Sequence, residues 1–236
     1  MKVKKNTYLV IIPTYNEVFN IIGLIRSINF QLPNVDILVI DDNSPDGTYL
    51  AVEFEMLTQS KIKLIKREGK KGIATAYKEG FKYGINNNYT HLIQMDADGS
   101  HQVKDLKRLV DLSVLEKSSV IIGSRYTKIG EKRIWNYQRY LLSKAANLYT
   151  KLLLKINLSD ITSGFRVYPV EVLKKFNLNT VKGKDFVFQI EMSNLLKNNK
   201  IITHEIDIEF VDRVHGESKM NFGMILESFI YVIRNR

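Results

Sequence analysis

The chain has 236 residues and a mass of 27.3 kDa, with 35 Lys+Arg against 25 Asp+Glu, a formal charge of +10. An apolar fraction of 44% beside 25% charged residues excludes wholesale disorder, and the length suits one domain. The lack of cysteine excludes disulfides, thiolate metal sites and a thiol nucleophile, while the basic excess calls for an anionic partner: a nucleic acid, a phosphorylated substrate or an acidic membrane.

The start, Met1-Lys-Val-Lys-Lys5, has the charge of a secretory leader. The apolar run that follows, Tyr8 to Pro13, is too short for one, whose core takes about 7–15 residues. Short apolar runs at Tyr8–Ile12, Val35–Ile40, Ile62–Ile65, Thr90–Met95 and Val120–Ile122 predict buried strands. Between them Val18, Ile21, Ile22, Ile25 and Ile28 follow a helical stripe, as do Val103, Leu106, Leu109, Val110 and Val114. This alternation predicts an α/β fold with a mostly parallel sheet flanked by helices. Its ligand site lies beyond the carboxyl ends of the strands.

After Gly123 the pattern changes. Tyr137–Lys155 reads as a long helix with Leu141, Ala145, Leu148, Tyr149 and Leu152 on one stripe. Phe186–Leu196 reads as a helix, Ile201–Val211 as a strand and Phe222–Ile233 as a C-terminal amphipathic helix. The last is too short to cross a bilayer, which takes about 20 apolar residues. No linker separates the parts, so one domain over 1–236 is expected. Two stretches concentrate the charge, Ser60–Gly72 and Tyr126–Lys155. Either is a solvated face or, taken together, a side turned to phosphate or membrane.

Three acidic or turn-forming motifs fall at strand ends. Pro13-Thr-Tyr-Asn-Glu17 stops the first strand; Tyr15 offers a stacking face and Glu17 a helix cap or a ligand contact. Asp41-Asp42 opens the turn Asn43–Thr48, and a carboxylate there can accept hydrogen bonds from a base or ribose. Asp96-Ala97-Asp98 follows the fourth strand. Two acids one residue apart either cap the next helix or share a hard divalent cation with a diphosphate. His101 reads as a ligand of that cation or as a support for the acids; His91, His204 and His215 lack ligand spacing. No dinucleotide or phosphate-loop motif is present.

These motifs together resemble the family-two glycosyltransferases with a GT-A fold. The likeness continues through Gly123-Ser-Arg-Tyr126, Ser163-Gly-Phe-Arg166, Asp185–Glu191 and Phe210–Lys219. The full set is similar to the dolichyl-phosphate (polyprenyl-monophosphate) mannose synthases. The resemblance implies inverting transfer of mannose from GDP-mannose to a polyprenyl phosphate. It assigns Pro13, Tyr15, Glu17, Ile40 and Asp42 to the guanosine. Asp96, Ala97 and Asp98 would hold the diphosphate and a Mg²⁺ or Mn²⁺ ion, the metal through Asp96 and Asp98. Arg125, Arg139, Ser143 and Arg213 would bracket the acceptor phosphate, with Arg125 and Arg213 also reaching the donor. Lys219 would meet the donor diphosphate. Asp98, Arg125 and Arg139 carry the chemistry in this reading.

The residues support one part of it directly: Arg139 and Ser143 are four apart on the long helix and share a face. For Arg125 and Arg213 a structural salt bridge is the competing expectation. Residues 1–123 would form the nucleotide-sugar half, 124–220 the acceptor half, and 221–236 a helix facing a membrane or a small anchoring subunit. The implied location is peripheral, on the cytoplasmic face of a membrane. A glucosyltransferase using UDP-glucose is the alternative within the fold. The charge alone permits a nucleic-acid-binding module, but no nucleic-acid motif is present.

Overall fold

The computed structural model describes residues 6–126, 137–211 and 222–236; the side chains of 137–140, 222 and 224–226 lie outside the description. The first half alternates β1 (Tyr8–Thr14), α1 (Val18–Gln31), β2 (Val35–Asp41), α2 (Thr48–Met56), β3 (Ile62–Lys66), α3 (Ile73–Asn86), β4 (His91–Gln94), α4 (Val103–Leu115) and β5 (Val120–Ser124). The second half holds α5 (Tyr137–Leu154), β6 (Arg166–Pro169), α6 (Val170–Leu173), α7 (Asp185–Asn198), β7 (Thr203–Asp207) and α8 (Phe222–Arg234).

The seven strands form one sheet in the order β3-β2-β1-β4-β6-β5-β7. Every pairing is parallel except those of β6, which runs antiparallel between β4 and β5. Alternate residues feed the two faces. Leu9, Ile11, Leu38 and Ile40 meet α3 and α7 through Tyr77, Phe81 and Phe188. Val10, Ile12, Ile37 and Val39 meet α1 and α4 through Ile21, Ile25, Leu106 and Leu109. Burial on both faces explains why these strands read as unbroken apolar runs.

The differences from expectation have physical causes. β6 is only four residues long, contains an arginine and ends in proline, so its pattern carries no strand signal. Arg166 is nonetheless fully buried. It donates from Nε to the Ser163 carbonyl (2.7 Å) and from Nη2 to the Ile161 carbonyl (2.6 Å) and Ser193 Oγ (2.9 Å). Those bonds fix the loop that enters β6. β7 is shorter than the expected Ile201–Val211, because the chain leaves the sheet edge after Asp207. It then makes a separate antiparallel bridge between Phe210 and His101. That bridge brings the segment after β7 against the turn after β4.

α3 lies close to the sheet because two of its inward residues are glycines. A Cβ on Gly84 would come within 2.2 Å of Leu92 Cδ2, and one on Gly80 within 2.5 Å of Ile11 Cγ2. Gly84→Ala therefore forces the helix away from β4. Urea unfolding should show a loss of about 1–3 kcal/mol, despite alanine's better helix propensity. A neutral or stabilising result would mean that Leu92 yields freely.

Candidate active site

A cavity of about 330 Å³ lies beyond the carboxyl ends of β1, β2 and β4. Parallel strands diverge there to either side of β1, the usual place for a ligand in such sheets. Pro13, Tyr15, Glu17, Asp42, Asp96, Ala97, Asp98, Arg125 and Ser143 all line it. Ile40 does not: its side chain is fully buried in the core. Arg213 and Lys219, and the side chain of Arg139, lie outside the described residues.

The turns after β1 and β2 brace each other. Asn16 N–H donates to Ser44 Oγ (3.0 Å), Glu17 N–H to Thr48 Oγ1 (3.0 Å) and Val18 N–H to Asp46 Oδ2 (3.1 Å). The Asn43–Thr48 turn thus satisfies the open N–H groups at the start of α1. Asp41 has a structural task, accepting Thr14 Oγ1 (2.8 Å), Ser44 N–H (2.8 Å) and Ser44 Oγ (2.6 Å). Asp42 accepts the N–H groups of Lys71 (3.1 Å) and Gly72 (3.0 Å) and pairs with the buried Arg67. Glu17 accepts Asn20 Nδ2 at 2.9 Å. The Lys70 ammonium sits 4.4 Å from the Tyr15 ring centre, a cation over the proposed stacking face.

The turn after β4 is held from several sides. Tyr77 Oη donates to Asp96 Oδ1 at 2.9 Å, and Ser100 donates to Asp98 Oδ1 from both N (3.1 Å) and Oγ (2.6 Å). Burial, reinforced by Asp96, raises the Tyr77 phenol well above its ordinary value, so it stays a donor. His101 Nδ1 accepts the Asp96 N–H at 3.1 Å, and its ring stacks on Phe165 at 4.5 Å. That nitrogen is thereby engaged in fixing the turn. Among the described residues no group of three or more His, Asp or Glu could hold an ion. Two carboxylates at one cavity wall still fit Mg²⁺ or Mn²⁺, which take one or two acids together with substrate phosphates.

Arg125 enters from the end of β5. It forms a bidentate pair with the fully buried Asp160, 2.7 Å from Nε to Oδ2 and 2.7 Å from Nη2 to Oδ1, and also meets Thr162 Oγ1 (2.8 Å). Burial alone would raise Asp160, but the Arg125 charge and hydrogen bonds outweigh it and lower the carboxyl. Burial would likewise lower Arg125, and the Asp160 charge raises it instead. The salt bridge expected as the competitor to a phosphate role is therefore present, and Arg125 still lines the cavity. Ser143 Oγ lies 2.5 Å from Tyr126 Oη.

Opposite this polar floor the wall is apolar. Leu142, Ala146 and Tyr149 of α5, Phe186 and Ile190 of α7, and Phe229 of α8 face the same space. Tyr149 packs on Phe229 at 4.7 Å, joining α5 to α8. The sequence motifs do not reach Tyr77 or Asp160, and they include Gln189 within Asp185–Glu191 without giving it a role. Tyr77 lies in a segment, Ile73–Asn86, with no clear apolar stripe, and Gln189 lies among apolar neighbours on α7. Asp160 sits in a loop whose only signal is turn chemistry.

The sequence model "Glycosyl transferase family 2" matches residues 9–176. The chain belongs to this family. Its relatives include the polyprenol monophosphomannose synthase of Mycolicibacterium smegmatis, 41% identical over 95% of this chain and 84% of that one. The undecaprenyl-phosphate mannosyltransferase of Micrococcus luteus is 37% identical over 96% of this chain and 92% of that protein. Among solved structures, a glucosyl-3-phosphoglycerate synthase from Mycobacterium tuberculosis aligns with a TM-score of 0.68, 16% identity, and coverage of 98% of this chain and 80% of that one. A Pyrobaculum calidifontis mannosyltransferase, in complex with GDP-Man and Mn²⁺, aligns at 0.62 and 16% identity over 98% of this chain and 65% of that one. The expected GT-A fold is the fold observed.

The role of His101 has a pH signature. Burial lowers its imidazole below the ordinary 6.5, and only the neutral ring accepts the Asp96 N–H. Its contribution is complete above 6.5 and is lost as pH falls toward the depressed folded value. His91, lowered to about 4 by burial, adds a loss of the same sign. In urea unfolding between about pH 7.5 and 5.5, His101→Gln should lose less stability than the wild type, since His91 contributes to both. Equal losses would remove His101 from the account.

Proposed function

We propose that the chain transfers mannose from GDP-mannose to a polyprenyl phosphate at a membrane surface. The relatives' names support the transfer and the acceptor class. The observation that carries the reading is the junction of two unlike surfaces in one cavity. Asp96, Asp98, Lys70 and Arg125 make a charged floor, and Leu142, Tyr149, Phe186 and Phe229 make an apolar wall. A nucleotide diphosphate suits the first and a lipid chain the second.

On the donor side Tyr15 would stack on the base, and the turn at 96–98 would face the diphosphate. Asp96 and Asp98 would hold Mg²⁺ or Mn²⁺, which when bound offsets the charge of the departing diphosphate. On the acceptor side Arg125, with Arg139, Ser143 and Arg213, would bind the lipid phosphate. Lys219 would meet the donor diphosphate. An arginine fork matches phosphate geometry, and Asp160 holds that of Arg125 at a fixed orientation.

The acceptor phosphate is ionised near neutral pH, so no strong general base is needed. Its oxygen attacks C1 of the mannose as the bond from C1 to the diphosphate breaks. Attack from the far side inverts the anomeric centre and gives a β-linked mannosyl phosphate. The protein's contribution is electrostatic: fixed positive charge between two anionic substrates.

The lipid tail requires a membrane at the cavity mouth. Among the described residues no helix is long and apolar enough to cross one. Leu141, Leu148 and Leu152 of α5 and Ile230 and Ile233 of α8 are exposed. With Lys144 and Lys151 on α5, they suit a peripheral contact on the cytoplasmic leaflet. A small anchoring subunit would serve the same surface.

The test is transfer of label from GDP-mannose or UDP-glucose to undecaprenyl or dolichyl phosphate with Mg²⁺ or Mn²⁺, followed by lipid extraction. Label should enter the lipid from GDP-mannose, stop with chelator, and fall by about a hundredfold or more in Asp98→Ala. Transfer only from UDP-glucose would overturn the mannose assignment. Full turnover of Asp98→Ala in excess chelator would overturn the metal.

A further inference from the structure

We infer that Gln189 binds a hydroxyl of the donor's hexose and contributes to the choice of sugar. The inference rests on the reading of the cavity as a nucleotide-sugar site. Gln189 lies one turn into α7, lines the cavity and is only 6% exposed. Its main-chain carbonyl accepts Ser193 Oγ at 2.8 Å. Its side-chain oxygen, Oε1, is buried and has no partner among the described residues. A buried acceptor left without a hydrogen bond costs about 1–3 kcal/mol, and native structures keep few of them. A carboxamide that lines a cavity with its oxygen unpaired gains a partner by turning that oxygen toward a ligand that supplies the missing donor.

The location narrows the ligand. A Cβ on Gly164 would lie 3.3 Å from Gln189 Nε2 and 3.9 Å from both carboxylate oxygens of Asp96. The gap between the carboxamide and the Asp96 carboxylate is thus about one carbon wide, and Gly164 keeps it open. The diphosphate belongs at Asp96, so the hexose attached to it extends over the neighbouring wall. That wall is α7, where Phe186 and Ile190 add apolar surface suited to the C–H face of a pyranose. A carboxamide offers both a donor and an acceptor, as a sugar hydroxyl does, and exchanging its oxygen and nitrogen leaves this match intact. An anionic phosphate would be served by cations, and among the described residues lining the cavity those stand elsewhere, at Arg125 and Lys70.

Steady-state kinetics on the full chain test this. Wild type, Gln189→Met and Gly164→Ala are compared on GDP-mannose and on analogues each lacking the hydroxyl at C2, C3, C4 or C6. GDP affinity is measured separately by calorimetry. In Gln189→Met, kcat/KM for GDP-mannose should fall about 10- to 100-fold while GDP affinity stays within about twofold. For one analogue the wild type and the variant should become equal, because the contact is already missing. Gly164→Ala should show the same selective loss. Wild-type kcat/KM in both variants, or the same loss on every analogue, would overturn the role of Gln189. If the wild type turns over UDP-glucose instead, the mannose reading fails, and the same comparison on UDP-glucose and its deoxy analogues decides Gln189.

Discussion

Tyr77, fully buried on α3, donates its hydroxyl to Asp96 Oδ1 at 2.9 Å. This contact ties the floor of the cavity to the core, and much of the site follows from it. Gly80 and Gly84 let α3 lie close to β1 and β4, which brings Tyr77 within reach of the β4 turn. His101 then fixes the Asp96 main chain, and Ser100 fixes Asp98. Tyr77, raised by burial, stays a donor at neutral pH, and Ser100 does not titrate, so both carboxylates keep these bonds. Their position is set before any ligand arrives, which is what preorganised electrostatics requires.

The second half supplies the opposite wall by a different device. Arg166 is buried with no carboxylate in direct contact among the described residues, its donors given to the carbonyls of the loop that enters β6, to Ser193 and to Tyr168. That loop carries Asp160, Thr162 and Gly164. Asp160 aligns Arg125, and Gly164 leaves room beside Asp96. Buried ion pairs contribute little net stability against an apolar replacement, because desolvation offsets the attraction. Here Arg125 and Asp160 stand at the meeting point of a charged floor and an apolar wall, and the pair holds the guanidinium in one orientation.

The parallel strands were legible in the sequence because burial on both faces writes them as continuous apolar runs. The acidic turns were legible because they follow those runs directly. Much of the remainder was hidden for identifiable reasons. β6 has four residues, one of them a buried arginine. Tyr77 follows Ile73 and Ala76 in a helix whose inward face is partly glycine, so its stripe is faint and its hydroxyl looks incidental. Gln189 stands between Phe188 and Ile190, and its motif, Asp185–Glu191, marks the segment without singling out the carboxamide. Asp41 and Asp42 were visible as a pair, but their division of labour was not. One braces the β1 and β2 turns, and the other holds the backbone at Lys71 and Gly72. The apolar wall depends on α5 and α8 meeting at Tyr149 and Phe229, a contact across about 80 residues that no local pattern encodes.

The central claim is that the turn at Asp96–Asp98 holds a diphosphate through a divalent ion. Calorimetric titration of GDP into the full chain, with Mn²⁺ and with excess chelator, tests it most directly. The account predicts that Mn²⁺ tightens GDP binding by about tenfold or more, and that Asp98→Ala abolishes this increment while keeping the weak metal-free binding. Equal GDP affinity with Mn²⁺ and with chelator in the wild type would contradict it.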